Sequence, residues 1–300
     1  MRRFAGGLLA ILPFLVALPG IAEVEPLTLF QKAARAPLVL RARSLSDSTR
    51  RPQVEVLHIF KGSCPARVIN IVPHFEDNGS PTPWLKREVF LRGEESMLFL
   101  TPYVRDDGKE EGPDIFSVLG ADQGKLSIPA EGAGALEDAL TRFVSILSLG
   151  QHDRQGTALR ALLREKNPYL IEAGLEECGK FRLGLKEDIE SILHLTGDRR
   201  PDFRAGALTL LAQIVEDSNA SSVPTSSLDA TAAASLMDHV AAAALLDAEE
   251  SVRRRAVGVL EAIGGQAALA LLETIGKADP SQSVRYEAQV AAYRMRQVKR

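Results

Sequence analysis

Between residues 37 and 130 the apolar positions fall in short runs: Leu38 to Ser44, Val54 to Phe60, Arg67 to Val72, Ser96 to Thr101, Ile115 to Leu119 and Lys125 to Ile128. Short runs rich in β-branched and aromatic residues, bounded by turn formers, predict strands. The breaks lie at Asp47 to Pro52, Lys61-Gly62-Ser63, Asn78-Gly79-Ser80 with Pro81 and Pro83, and the charged stretch Arg105 to Gly112, where Gly, Pro and Asn favour turns. Five or six strands of this length predict a small barrel or sandwich.

After Gly132 the pattern changes to Ala- and Leu-rich stretches of helical period. The stripe Ile171, Leu175, Cys178, Phe181 marks one buried helix face. Shifting the chain by 32 residues places Asp247, Ser251, Val252, Arg253 and Ala256 on Asp279, Ser283, Val284, Arg285 and Ala288. Asp198, Phe203, Arg204 and Ala207 hold the same frame upstream, and a degenerate copy without the Arg spans Asn167 to Phe181. Self-similarity at this period predicts stacked helical repeats. Helices at Leu185 to Leu195, Leu228 to Leu246 and Gln266 to Ile275 alternate with the Arg-bearing ones, and the polar tract Asp217 to Ser227 reads as an inserted loop. The last helix, Val284 to Val298, either caps the array or offers its open side to another chain.

The pattern Asp-x4-[Val/Phe]-Arg-x2-Ala resembles HEAT repeats, including the short HEAT-like repeats first associated with phycobilin lyases. The resemblance implies that Asp198, Arg204, Asp247, Arg253, Asp279 and Arg285 bond between neighbouring repeats, as a structural ladder. In the β-rich half, Leu38-Val39-Leu40-Arg41-Ala42-Arg43, the run Val54 to Gly62 and Gly93 to Leu100 are similar to the OB-barrel of netrin-like and metalloprotease-inhibitor-like domains. Those inhibitors chelate a zinc through an N-terminal cysteine, and no cysteine precedes Cys64 here. The expected fold class is therefore α+β and multidomain: a small OB-like β-barrel over residues 23–132, then an α-α superhelix of HEAT-like repeats over 133–300.

The first 22 residues add a compartment. Arg2 and Arg3 make a positive n-region, Leu8 to Leu18 an apolar h-region, and Gly20-Ile21-Ala22 a small-residue cleavage site, which together predict a signal peptide and a mature chain from Glu23. Retention as an anchor is the competing reading, against which Gly6, Gly7, Pro13 and Pro19 interrupt the run. The setting expected is periplasmic or secreted, with no membrane attachment after cleavage. Export permits a disulfide between Cys64 and Cys178, while the stripe around Cys178 suggests a buried thiol instead.

The chain has a net charge of −3 and no long basic stretch, which argues against nucleic acid as a partner. No i, i+4 histidine pair, Gly-x-Ser-x-Gly elbow or phosphate loop is present, and the acid pairs Glu176-Glu177 and Glu249-Glu250 read as solvated or helix-starting. His74, Glu76 and Asp77 share a turn but make a poor metal set, so no metal and no cofactor are assigned. Trp84, in a Pro-flanked connection, is a candidate partner anchor, with His74 as a second possible partner-binding residue, or else a cover for the barrel end. The leading expectation is a non-enzymatic scaffold that binds a protein or peptide. A modulator or inhibitor of an extracytoplasmic enzyme acting through the barrel loops is the first alternative, and a lyase or hydrolase built on the repeats is the second.

Overall fold

The computed structural model describes residues 27–47, 51–72, 89–104, 108, 110, 112–119, 124–128, 131–220 and 230–298. The predicted leader, His74, Glu76, Asp77 and Trp84 lie outside them. The strands are β1 Leu38–Ser44, β2 Gln53–Lys61, β3 Val68–Val72, β4 Glu95–Pro102, β5 Ile115–Val118 and β6 Lys125–Ser127. Neighbours pair antiparallel from β1 to β2 and β2 to β3, β3 runs parallel to β5, and β5 pairs with β4. The opposite edge of β4 returns to β1, where Leu40 faces Leu98, so five strands close a barrel and leave no free edge among them. Strand β6 extends the edge of β4 beside β5.

The side-chain alternation of β1 and β4 explains why both read as continuous apolar runs. Leu38, Leu40, Leu98 and Leu100 point into the barrel with Val54, Ile69, Ile71, Phe90 and Phe116. Val39, Met97 and Phe99 point outward, yet they too are fully buried, because they join the core of the helices. Arg41 of β1 strengthens this seam by bonding Glu95 of β4 and Glu137 of the first helix after the barrel.

That helix is α2 Ala133–Leu147. It is followed by α3 His152–Ala161, α4 Pro168–Lys180, α5 Ile189–Leu195, α6 Pro201–Ala220, α7 Ala230–Leu246, α8 Glu250–Ile263, α9 Gly265–Ala278 and α10 Gln282–Val298. Helices α4, α6, α8 and α10 pack in succession as one layer, with α5 against α6, α7 against α8, and α9 against α8 and α10. This is a stacked helical repeat array with one continuous core. No helix among the described residues is long and apolar enough to cross a membrane.

A helix absent from the sequence reading, α1 Leu29–Arg35, precedes the barrel but packs on α2 and α4. The Thr28 hydroxyl caps its start by accepting from the Gln31 amide at 3.1 Å. Phe30 meets Phe143 of α2 edge to face at 5.3 Å. At its other end Lys61 of β2 donates to the carbonyls of Ala33 at 2.8 Å and Ala34 at 3.0 Å, satisfying two orphan acceptors. The chain leaves β2 through Gly62 at φ +81°, where any Cβ would stand 2.4 Å from the Pro37 carbonyl.

Of the two readings of the cysteines, the unpaired one is found: Cys64 borders the barrel core, Cys178 lies wholly inside the helical core, and both thiols are free. Three expectations change. Phe181 is not on the buried stripe but 58% exposed, because α4 ends at Lys180 and the next residue leaves the helical path. Glu177 is not solvated but 3% exposed, with Oε1 accepting from Gln31 Nε2 at 3.0 Å. The tract from Asp217 begins as helix, since α6 continues to Ala220 with Asp217 held by Arg182 and Asn219 donating to the Ala262 carbonyl at 2.9 Å; residues 221–229 lie outside the described set.

Two outcomes follow from this packing. Phe99→Ala should remove about 3–5 kcal/mol of stability, and urea unfolding should show barrel and array signals moving together, since the ring belongs to both. Burial, helped by nearby Asp188, pushes the Cys178 thiol up to about 12. A thiol reagent at neutral pH should therefore modify Cys64 in the native protein, and Cys178 only after unfolding, without added reductant.

Candidate functional site

The six Asp and Arg positions of the repeat motif form a regular bonding scheme. Asp198, Asp247 and Asp279 each accept, through Oδ1, the backbone N–H two residues on, at 2.8 to 2.9 Å. This closes the turn that starts each Arg-bearing helix. The arginine then reaches back: Arg204 Nη1 donates to the Asp198 carbonyl and Arg253 Nη1 to the Asp247 carbonyl, both at 2.9 Å, and Arg285 Nη1 to that of Asp279. The remaining fork crosses to the next repeat, Arg204 onto Asp247 at 2.7 and 2.8 Å and Arg253 onto Asp279 at 2.8 and 3.1 Å. Asp198 pairs with Arg200 of its own repeat instead, and the Arg285 fork meets no carboxylate among the described residues.

These rungs are almost dry, with Arg253 and Asp279 at 7% and 8% exposure. Burial pushes the Asp279 carboxyl upward, but the Arg253 fork, the Ser281 amide and the charges of Arg253 and Arg285 outweigh it and hold the group below the usual range. Asp247 behaves alike, with Arg204 as its fork. The hydrogen bond to Asp279 raises the Arg253 guanidinium above its ordinary value against the cost of burial. Arg204, Asp247, Arg253 and Asp279 thus bond inside the array.

The open surface lies beside them. Helices α6, α8 and α10 bound a recess of about 700 Å³ lined by residues such as Gln213, Arg254, Arg255, Gly258, Tyr286 and Arg294. A second recess of about 540 Å³ between α4 and α6 is lined by Glu172, Glu176, Lys180 and Asp202 among others. Thr209, Gln213 and Arg255 line both, so the two form one groove across the layer. Ion pairs brace its sides: Arg254 with Glu287, Arg294 with Glu261 at 3.4 Å, and Arg182 with Asp217 at 2.7 Å. Arg182 takes this position from a left-handed backbone at φ +50°, just beyond α4.

Two groups at the junction lack partners. Gln213 Oε1 is a buried acceptor without a hydrogen bond, the single such side-chain atom among the described residues. Arg255 is exposed, with no ion pair or hydrogen bond among them. At the α4 end, burial and the Asp202 charge push Glu172 above the ordinary glutamate value, with Arg200 opposing. The groove thus carries an acidic end, a central donor and acceptor, and a tyrosine, Tyr286, that is 67% exposed. Glu172, Gln213, Arg255 and Tyr286 did not stand out in the sequence; the signal was the polar face Ser251, Arg254, Arg255, Gly258, Glu261 along one side of α8. Among the described residues no group of three or more His, Cys, Asp or Glu is arranged to hold a metal ion.

No protein-family model matches the chain, and no curated protein matches it. Among solved structures, a designed armadillo repeat protein in complex with the peptide (KR)4 is similar over 53% of this chain and 74% of its own, with 17% identity and a TM-score of 0.35. At that level the likeness carries no functional argument.

The rungs generate a stability test. Arg253→Met strands Asp279 in the core and should cost about 3–5 kcal/mol, whereas Arg285→Met, which breaks no carboxylate pair, should cost under about 1 kcal/mol. The wild-type contribution of Asp247 and Asp279 is complete above their unfolded value of about 3.9 and is lost as pH falls through their lower folded values. In Arg253→Met the bare buried carboxylate is instead relieved by protonation, so its deficit against wild type should shrink from pH 7 towards pH 3 in urea titrations.

Proposed function

We propose that this chain is an exported, non-catalytic binding scaffold that holds an extended segment of another protein in the groove across α4, α6, α8 and α10. The observation that carries this reading is the unpaired acceptor and donor at the middle of the groove, Gln213 Oε1 and Arg255. A peptide group offers an N–H and a carbonyl, so an extended backbone supplies what both lack, and an unmet buried acceptor costs about 1–3 kcal/mol until it is met. The paired charges and Tyr286 along the sides provide side-chain contacts of the kind enriched in interfaces. Export rests on the leader-like pattern of residues 1–22, and the scaffold role on the commitment of the motif residues to the ladder.

Gly258 makes the test clean. It lies within α8 and lines the groove, and an added Cβ would meet nothing within 4 Å. Peptides selected from a random library on residues 23–300 should bind Gly258→Leu and Arg255→Ala at least about tenfold more weakly, with thermal stability unchanged or, for Gly258→Leu, slightly raised. Peptides that bind all three proteins equally would show that the groove is not the binding surface. Turnover of any of them by the wild type would overturn the non-catalytic reading.

A further inference from the structure

A separate pocket of about 440 Å³ opens where α1 meets the start of the array, walled by α1, the end of α2, α3 and the end of α4. Its walls are mainly apolar, with Phe30, Leu147, Leu159, Leu183 and Phe181 among them. The volume and lining suit a small organic molecule. Inside stands one charged group, the Glu177 carboxylate. Oε1 accepts from Gln31 at 3.0 Å, and Oε2 has no donor among the described residues. The carboxylate's one side-chain partner among the described residues is Gln31, although Arg35, His152 and Lys180 line the mouth. Those three are exposed, and Lys180 Nζ is turned over the Phe181 ring at 5.6 Å.

Glu177 is 3% exposed and accepts one hydrogen bond, so its Oε2 leaves an acceptor position open on the pocket, and a carboxylate accepts strongly from the N–H groups of a cation. The complement of this pocket is therefore a compact cation with an apolar body, its N–H groups inward on Oε2 and its hydrocarbon along the leucines. Phe181, 58% exposed at the entrance, offers a ring face to the same ligand. We infer that this pocket is a binding site for a small primary amine carrying an aromatic or aliphatic group, with Glu177 as the ammonium acceptor and Phe181 as the lip. The site shares only Lys180 with the groove, and it stands or falls separately from the scaffold reading.

The test titrates isotope-labelled residues 23–300 with 2-phenylethylamine, 2-phenylethanol and 3-phenylpropionate at millimolar concentration, following amide shifts by NMR. The amine should bind saturably and shift α1, α3 and the end of α4, and the alcohol and acid should bind at least about tenfold more weakly. Glu177→Gln should remove that preference, and Phe181→Ala, which alters an exposed side chain, should weaken the amine without affecting folding. Equal binding of amine and alcohol, an unchanged amine affinity in Glu177→Gln, or no amine binding would each overturn the assignment. Should Glu177→Gln fail to fold, the amine-to-alcohol ratio in wild type and Phe181→Ala decides alone.

Discussion

Two guanidiniums, those of Arg204 and Arg253, tie three successive repeats of the helical array together. Arg253 spends Nη1 on the carbonyls that open its own helix, and Nε and Nη2 on the carboxylate that opens the next. A buried ion pair gains little over a good apolar contact, but losing one partner leaves an unsolvated charge. The rung therefore punishes misalignment more than it rewards stacking, and it sets both the spacing and the rotation of α8. Rotation matters for the groove. Successive helical residues turn by about 100°, so once Arg253 is fixed inward, Arg254 and Arg255 are carried round to the groove face.

Much of this was legible because the residues that repeat are the residues that bond. Asp247 and Asp279 occupy equal positions in two copies, and the same chemistry serves each. The strands were legible for a simpler reason: their apolar runs end at turn formers. What escaped the sequence were contacts between distant positions. Glu177 looked like one half of a solvated acid pair, and nothing near it in sequence announces Gln31, 146 positions away. Phe181 continued an apolar stripe by spacing alone, whereas α4 stops one residue short of it. The groove residues vary from helix to helix, so periodicity, which depends on sameness, passes over them.

The barrel and the helices are not beads on a string. Val39, Met97 and Phe99 share a core with α2 and its neighbours, and Arg41 spans the seam. A closed barrel with one polar outer face would have read as alternating strands; the unbroken Leu-Val-Leu of β1 and Met-Leu-Phe-Leu of β4 reflect a barrel buried on that side.

Helix α1 precedes the barrel in the chain and rests on helices that follow it. In a chain made from its N-terminus, α1 emerges about a hundred residues before α2 and α4 exist to receive it. Seven residues cannot hold a helix on their own. Lys61 holds α1 from the barrel side, and α2 and α4 receive its apolar face. The pocket over Glu177 is therefore walled on one side by residues made about a hundred positions before the helices they rest on, and it exists only once α1 has met α2, α3 and α4.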